Sequence, residues 1–163
     1  MKRLLTLALS AALAATGFDP AIGGTATGDL AVQTTINATC AIEQVPVVDF
    51  GTRTSVPAPL DFVFSIGVRC TAGAPYSIAL DAGVGVAATT SLRRMTGPVQ
   101  WGYTFFSNAA RSAVWGDTAG QLVTGTGTGG LVSHPLYGRV YGQSGSVATP
   151  GLYTDTVTIT LSF

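Results

Sequence analysis

Apolar side chains recur at every second position along most of this chain. Leu30, Val32, Thr34 and Ile36 share one parity against Ala31, Gln33 and Thr35. Leu60, Phe62, Phe64, Ile66, Val68 and Cys70 form a longer run of the same kind. The pattern returns in Tyr76, Ile78 and Leu80, and again in Val99, Trp101, Tyr103 and Phe105. Leu136–Tyr141 predicts a further strand. At the end, Val157, Ile159, Leu161 and Phe163 face one way and Thr156, Thr158, Thr160 and Ser162 the other. A period of two belongs to strands with one buried face, because successive side chains leave a sheet on opposite sides. On this reading Cys70 points into the core.

Turn formers punctuate the strands. Pro57 and Pro59 precede the second, Gly73 and Pro75 separate it from the third, and Gly83 and Gly85 follow that. Gly125–Gly130 reads as a flexible hairpin or loop, and Pro150-Gly151 announces the last strand. No amphipathic helix of ordinary length, internal repeat or linker interrupts them. Strands at this spacing without helices predict a sandwich or barrel, and 163 residues suffice for one such domain.

The first residues depart from the pattern and read as an export signal over 1–14. Lys2 and Arg3 precede an apolar stretch, Leu4–Ala15, that contains the cleavage motif Ala12-Leu13-Ala14. The stretch is too short to span a bilayer. Residues 15–28 read as an N-terminal extension and 29–163 as the sandwich. Cleavage after Ala14 would leave 6 basic against 8 acidic residues, a net −2, which argues against nucleic acid and anionic lipid as partners. It would also remove Lys2, the only lysine, so lysine isopeptide cross-links are excluded and any polymer is held non-covalently. Charged residues make up 10% of the chain, too few to coat a solitary soluble domain and suited to burial in an assembly.

An exported chain with two cysteines predicts one disulfide, Cys40–Cys70, at the ends of the first and second mature strands. A zinc site would lack a ligand even with His134, the only histidine, so no metal or cofactor is implied. Candidate chemistry is sparse. Gly125–Gly130 formally fits G-x-G-x-x-G, but Leu-Val-Ser-His-Pro follows it and opens no helix to meet a phosphate. Ser133 and His134 adjoin in sequence, which seldom gives a nucleophile–base geometry, so His134 is expected to be solvent-facing or hydrogen-bonded. Asp155 shares the core-facing parity of Tyr153 and Val157 and so needs a partner, either backbone N–H groups or an arginine such as Arg139. Arg93-Arg94 reads as a strand-edge or loop pair. The eight acids form no evident catalytic pair, and the chain is read as a non-enzyme.

An ordered set of short motifs resembles the spore coat U domain family, which includes subunits of archaic chaperone–usher pili. The motifs are Ala38-Thr39-Cys40, Asp49-Phe50-Gly51, Val68-Arg69-Cys70, Arg93-Arg94-Met95, Val114-Trp115-Gly116-Asp117, Tyr137-Gly138-Arg139-Val140 and Gly151–Thr158, within a match running from near Thr25 to Phe163. Ala15–Gly24 has no counterpart in the family. The resemblance implies an immunoglobulin-like β-sandwich that lacks its last strand and is completed by donor-strand addition. It implies a structural subunit of a secreted surface fibre, exported through the periplasm, serving adhesion or biofilm formation. Its partners would be a periplasmic chaperone, an outer-membrane usher and neighbouring pilin subunits. Leu30, Val32, Thr34 and Ile36 become donor-strand candidates, unless Asp29–Ile36 is the first strand of its own domain and the donor lies nearer Ala15–Thr27. Val157, Ile159, Leu161 and Phe163 become the groove edge on the final strand. Two other readings stand beside this one: a self-contained extracellular coat or adhesion sandwich, and a small secreted hydrolase.

Overall fold

The computed structural model describes residues 23–54, 58–142 and 149–163. The export signal, the first part of the extension (15–22) and Pro57 lie outside the described residues. The chain divides into two compact units, 1–35 and 36–163. In the first, residues 23–35 form no strand and their side chains are exposed.

Among its described residues the second unit contains eight strands: β1 (Cys40–Gln44), β2 (Leu60–Cys70), β3 (Pro75–Leu80), β4 (Arg93–Met95), β5 (Trp101–Phe106), β6 (Val123–Thr126), β7 (Leu131–Val140) and β8 (Ile159–Ser162). They pair antiparallel into two sheets, ordered β1-β2-β7-β5-β4 and β6-β3-β8. The all-β sandwich expected from the sequence is present.

Parity located β2, β3 and β5 to within two residues, because each has one face in the core. Ile66, Val68, Ile78 and Leu80 are wholly buried on the expected faces, with Trp115 among them. Burying each aliphatic side chain stabilises the fold by about 1.5–3 kcal/mol. Three strands escaped the pattern. β4 is three residues long, and β1 is an edge strand with only Cys40 and Ile42 facing inward. β6 contains Gly125, which had read as loop; the Tyr76 ring lies against it, where any side chain would collide. Leu30–Ile36, which alternates as well as any segment, forms no strand. Among the described residues the first strand is β1, and Cys40 opens it rather than ending an earlier one.

Register gives the sandwich two distinct poles. At one, Cys40 pairs with Cys70, Arg69 with Leu131, and the turn after β2 meets the β6–β7 loop through Gly73 N–H to the Gly127 carbonyl at 2.8 Å. Gly127 approaches the Thr71 carbonyl so closely that no side chain fits there. The Cys40–Cys70 disulfide closes this pole and fastens β1 to β2. At the opposite pole lie the pairs Leu60–Val140, Leu80–Ile159 and Tyr103–Val140.

Candidate functional site

The two sheets do not close on each other along one side. An open groove of about 1030 Å³ runs between them, floored by Ile66, Leu80, Tyr103, Phe105, Leu136 and Val140. One rim is Val45–Thr54, which carries no strand; the other is Thr149–Val157, continuing into β8 at Ile159. Phe50 holds the first rim down by packing against Phe62, Phe64 and Tyr103 at centroid distances of 5.1–6.3 Å. β8 pairs with β3 on one side only, so its N–H and C=O groups on the groove side have no strand partner among the described residues. An unpaired edge above an uncovered apolar floor is a template for an added strand.

The second rim is held from both sheets. Asp155 Oδ1 accepts the N–H groups of Val84 and Thr156, each at 2.8 Å, and Oδ2 accepts the Tyr103 hydroxyl at 2.7 Å. The partners are thus backbone N–H groups and a phenol; Arg139 instead pairs with Asp61 at 2.7 Å. Burial, followed by the bond to Asp155, pushes the Tyr103 phenol up and keeps it protonated. Asp81 binds the N–H groups of Gly83 and Thr158 at 2.9 Å each. Burial pulls this carboxyl upward, but the Thr158 and Gly83 donors outweigh it and its net shift is downward.

Arg93 is the largest departure from sequence expectation. It lies on an edge strand, yet its side chain points inward and is wholly buried. The guanidinium donates to four main-chain carbonyls: Asp81 at 2.8 Å, Thr90 at 2.9 Å, Leu80 at 3.0 Å and Trp115 at 2.9 Å. It also stands 5.2 Å from the Phe105 ring centroid. Burial pulls its pKa down, but the ion remains the binding form because every bond it makes is a donation. The sequence held one signal for this, the shared parity of Arg93 and Met95.

His134 faces inward on β7, where its Nε2 meets the Tyr76 hydroxyl of the other sheet at 2.8 Å. Its partner is therefore Tyr76 and not Ser133. Burial lowers its pKa. Gly125 belongs to β6, and β7 starts one residue after Gly130, so the glycine-rich run ends in a strand and offers no helix N-terminus.

Of the expected groove-edge residues, Val157 and Ile159 line the groove, Leu161 packs on the core, and Phe163 is exposed beyond the strand. The donor candidates Leu30, Val32 and Ile36 are almost wholly exposed. The Val45–Thr54 rim was missed as part of the site, although Val48 and Phe50 alternate within it.

A family model described as the Spore Coat Protein U domain matches residues 26–160. Among curated proteins none matches the sequence. Among solved structures that share the fold, two illustrate the likeness. One is the chaperone–tip adhesion subunit pre-assembly complex of archaic chaperone–usher Csu pili from Acinetobacter baumannii, 23% identical with a TM-score of 0.54. The match covers 79% of this chain and 40% of that one, so it spans less than half of that chain's length. The other is a chaperone–usher pilus studied for rod uncoiling, 17% identical with a TM-score of 0.50, covering 91% of this chain and 99% of that one. At these identities the likeness speaks to the fold, an immunoglobulin-like sandwich, while the family follows from the sequence match over most of the chain. This protein belongs to the Spore Coat Protein U domain family.

Proposed function

We propose that the protein is an exported structural subunit of a surface fibre, assembled non-covalently when an extended segment of another subunit fills the groove beside β8. The observation that carries this reading is the unpaired edge of β8 above an apolar groove of about 1030 Å³. Leu30, Val32, Thr34 and Ile36 are the donor residues. They share one parity on a segment without strand partners, and at about 3.3 Å per residue they span some 20 Å when extended. Main-chain hydrogen bonds to β8 supply affinity, and alternate side chains entering the floor supply register. Before assembly a periplasmic chaperone covers the groove, an outer-membrane usher passes the subunit outward, and adhesion or biofilm formation is the outcome. The export signal at 1–14, the extension at 15–28 and the domain at 29–163 belong to the same proposal.

The role is mechanical and not enzymatic. Both carboxylates that line the groove are taken up in structural contacts, Asp155 accepting three hydrogen bonds and Asp49 the Gly51 N–H at 2.7 Å, and the His134 ring is held by the Tyr76 hydroxyl.

Val32→Asp should abolish SDS-resistant ladders that collapse on boiling, while Gln33→Asp, on the other parity, is milder. A charge carried into the groove forfeits the apolar burial and adds a desolvation penalty. Accumulation of the Val32→Asp subunit on its chaperone, without fibres, supports the donor role. Loss of the subunit itself would make Asp29–Ile36 a strand of its own domain, and normal fibres would refute both. A stable soluble monomer of unaltered sequence would point to a self-contained coat or adhesion domain.

A further inference from the structure

At the pole opposite the disulfide, three loops among the described residues carry no charged side chain: residues 82–92, 96–100 and 149–154. Val84, Val86 and Leu152 project from them, 71%, 72% and 81% exposed. These loops are fixed to one another. Thr96 and Thr154 exchange both backbone hydrogen bonds at 2.8 and 3.0 Å, and Gln100 Nε2 donates to the Val86 carbonyl at 3.1 Å. Val84 N–H is held by Asp155. Exposed apolar side chains on loops tied to one another in this way mark an interaction site. It is continuous with the groove, since Leu152 also lines the groove mouth.

From these observations we infer that the Val84/Val86/Leu152 pole docks against the disulfide pole of a second copy of this chain, the copy whose segment fills the groove. The inference rests on the donor-strand reading. Topology selects the partner surface. The chain enters its sandwich at the disulfide pole, where Thr39 N–H donates to Thr71 Oγ1 at 3.1 Å. A donor segment laid antiparallel to β8 leaves the groove at the opposite pole and draws the disulfide pole of its own body up to that point. A parallel donor would set disulfide pole against disulfide pole and crowd both arms into one junction, which could not propagate head to tail. The disulfide pole is chemically suited to the contact. It presents Ala72, Gly73, Thr128 and Gly129, and its nearest ions, Arg69 and Glu43, are paired with each other at 2.6 Å.

A photoreactive benzophenone side chain at position 86 (Val86→p-benzoylphenylalanine) tests this on purified fibres of the full protein. Irradiation should give a covalent dimer that survives boiling, with the cross-link mapped to residues 71–73 or 126–131 of the second copy. The same group at Val63, exposed on the outer face of β2, should not reach those segments. Val86→Glu should leave the ladders in place but make fibres shed subunits faster in mild denaturant, while Val63→Glu should not. Ladders accompanied by no cross-link, or by one to a different protein or region, would overturn the inference and leave the donor-strand reading intact. Absence of ladders from the unaltered protein would sink that reading and the inference with it.

Discussion

The Tyr103 hydroxyl donates to Asp155 Oδ2 at 2.7 Å and thereby joins the two sheets at the lip of the groove. Tyr103 belongs to β5 of the five-stranded sheet, and Asp155 to the segment that leads into β8 of the three-stranded one. The same carboxylate fixes Val84 in the β3–β4 loop, so one side chain sets the groove's width and the shape of its pole.

Asp155→Ala would strand the phenol of Tyr103, which is buried, and free the Val84 N–H. An unsatisfied buried donor costs about 1–3 kcal/mol. The variant should lower the denaturation midpoint of the subunit, and Tyr103→Phe, which removes only one partner's hydroxyl, should cost less. Additive losses in a double-mutant cycle would show that the two residues do not act together.

Arg93→Met should be among the most damaging single changes in the chain. It leaves four carbonyls without their donor, a cost of several kcal/mol by the same measure. Arg93→Lys should rescue it only partly, because an ammonium cannot reproduce the planar fork. Arg94→Met should be close to neutral, since Arg94 Nε is buried without a partner. The amount of exported protein and its urea midpoint are the readouts; equal tolerance at 93 and 94 would refute the assignment.

The disulfide fastens an edge strand that pairs with β2 alone. With a sequence separation of 30 between its cysteines, it stabilises the fold by about 3.5 kcal/mol on a chain-entropy account. Cys40→Ala and Cys70→Ala should each sharply reduce exported protein. Alkylation followed by mass spectrometry should find no free thiol on the native protein.

Stability should fall in two stages as pH drops. Folded His134 binds a proton more weakly than it does unfolded, because burial lowers its pKa from an ordinary 6.5. Unfolding therefore takes up a proton below that value, so the His134 contribution is complete above about 6.5 and declines as pH falls toward the lowered pKa. Asp61 follows in the acid range. Its hydrogen bond to Arg139, aided by the charge of Arg111, holds it below the ordinary 3.8, so its contribution is present above 3.8 and lost as pH falls through the lowered pKa. This second contribution is small, because the pair is partly exposed and screened. Urea midpoints measured between pH 3 and 8 should lose the upper stage in His134→Asn and part of the lower in Asp61→Asn. A wild-type midpoint that rises as pH falls from 7 through the His134 range would contradict the first assignment, and one that rises below pH 3.8 the second.

The residues themselves determined the sheets' inward faces. Alternation in Leu60–Cys70, Tyr76–Leu80 and Trp101–Phe105 states which side chains must leave water, and burial on one face is a property a strand carries locally. The same alternation misled at Leu30–Ile36, since a segment patterned to be buried does not name the body that buries it. Only the tertiary structure decided what depends on distant partners. Arg93 reads as surface charge until Asp81, Thr90, Leu80 and Trp115 turn four carbonyls toward it, and Gly125 reads as loop until the Tyr76 ring occupies the space its side chain would need. The groove is the clearest case. Val45–Thr54 and Thr149–Val157 lie about a hundred residues apart, and neither is a rim until the two sheets pack and fail to meet between them.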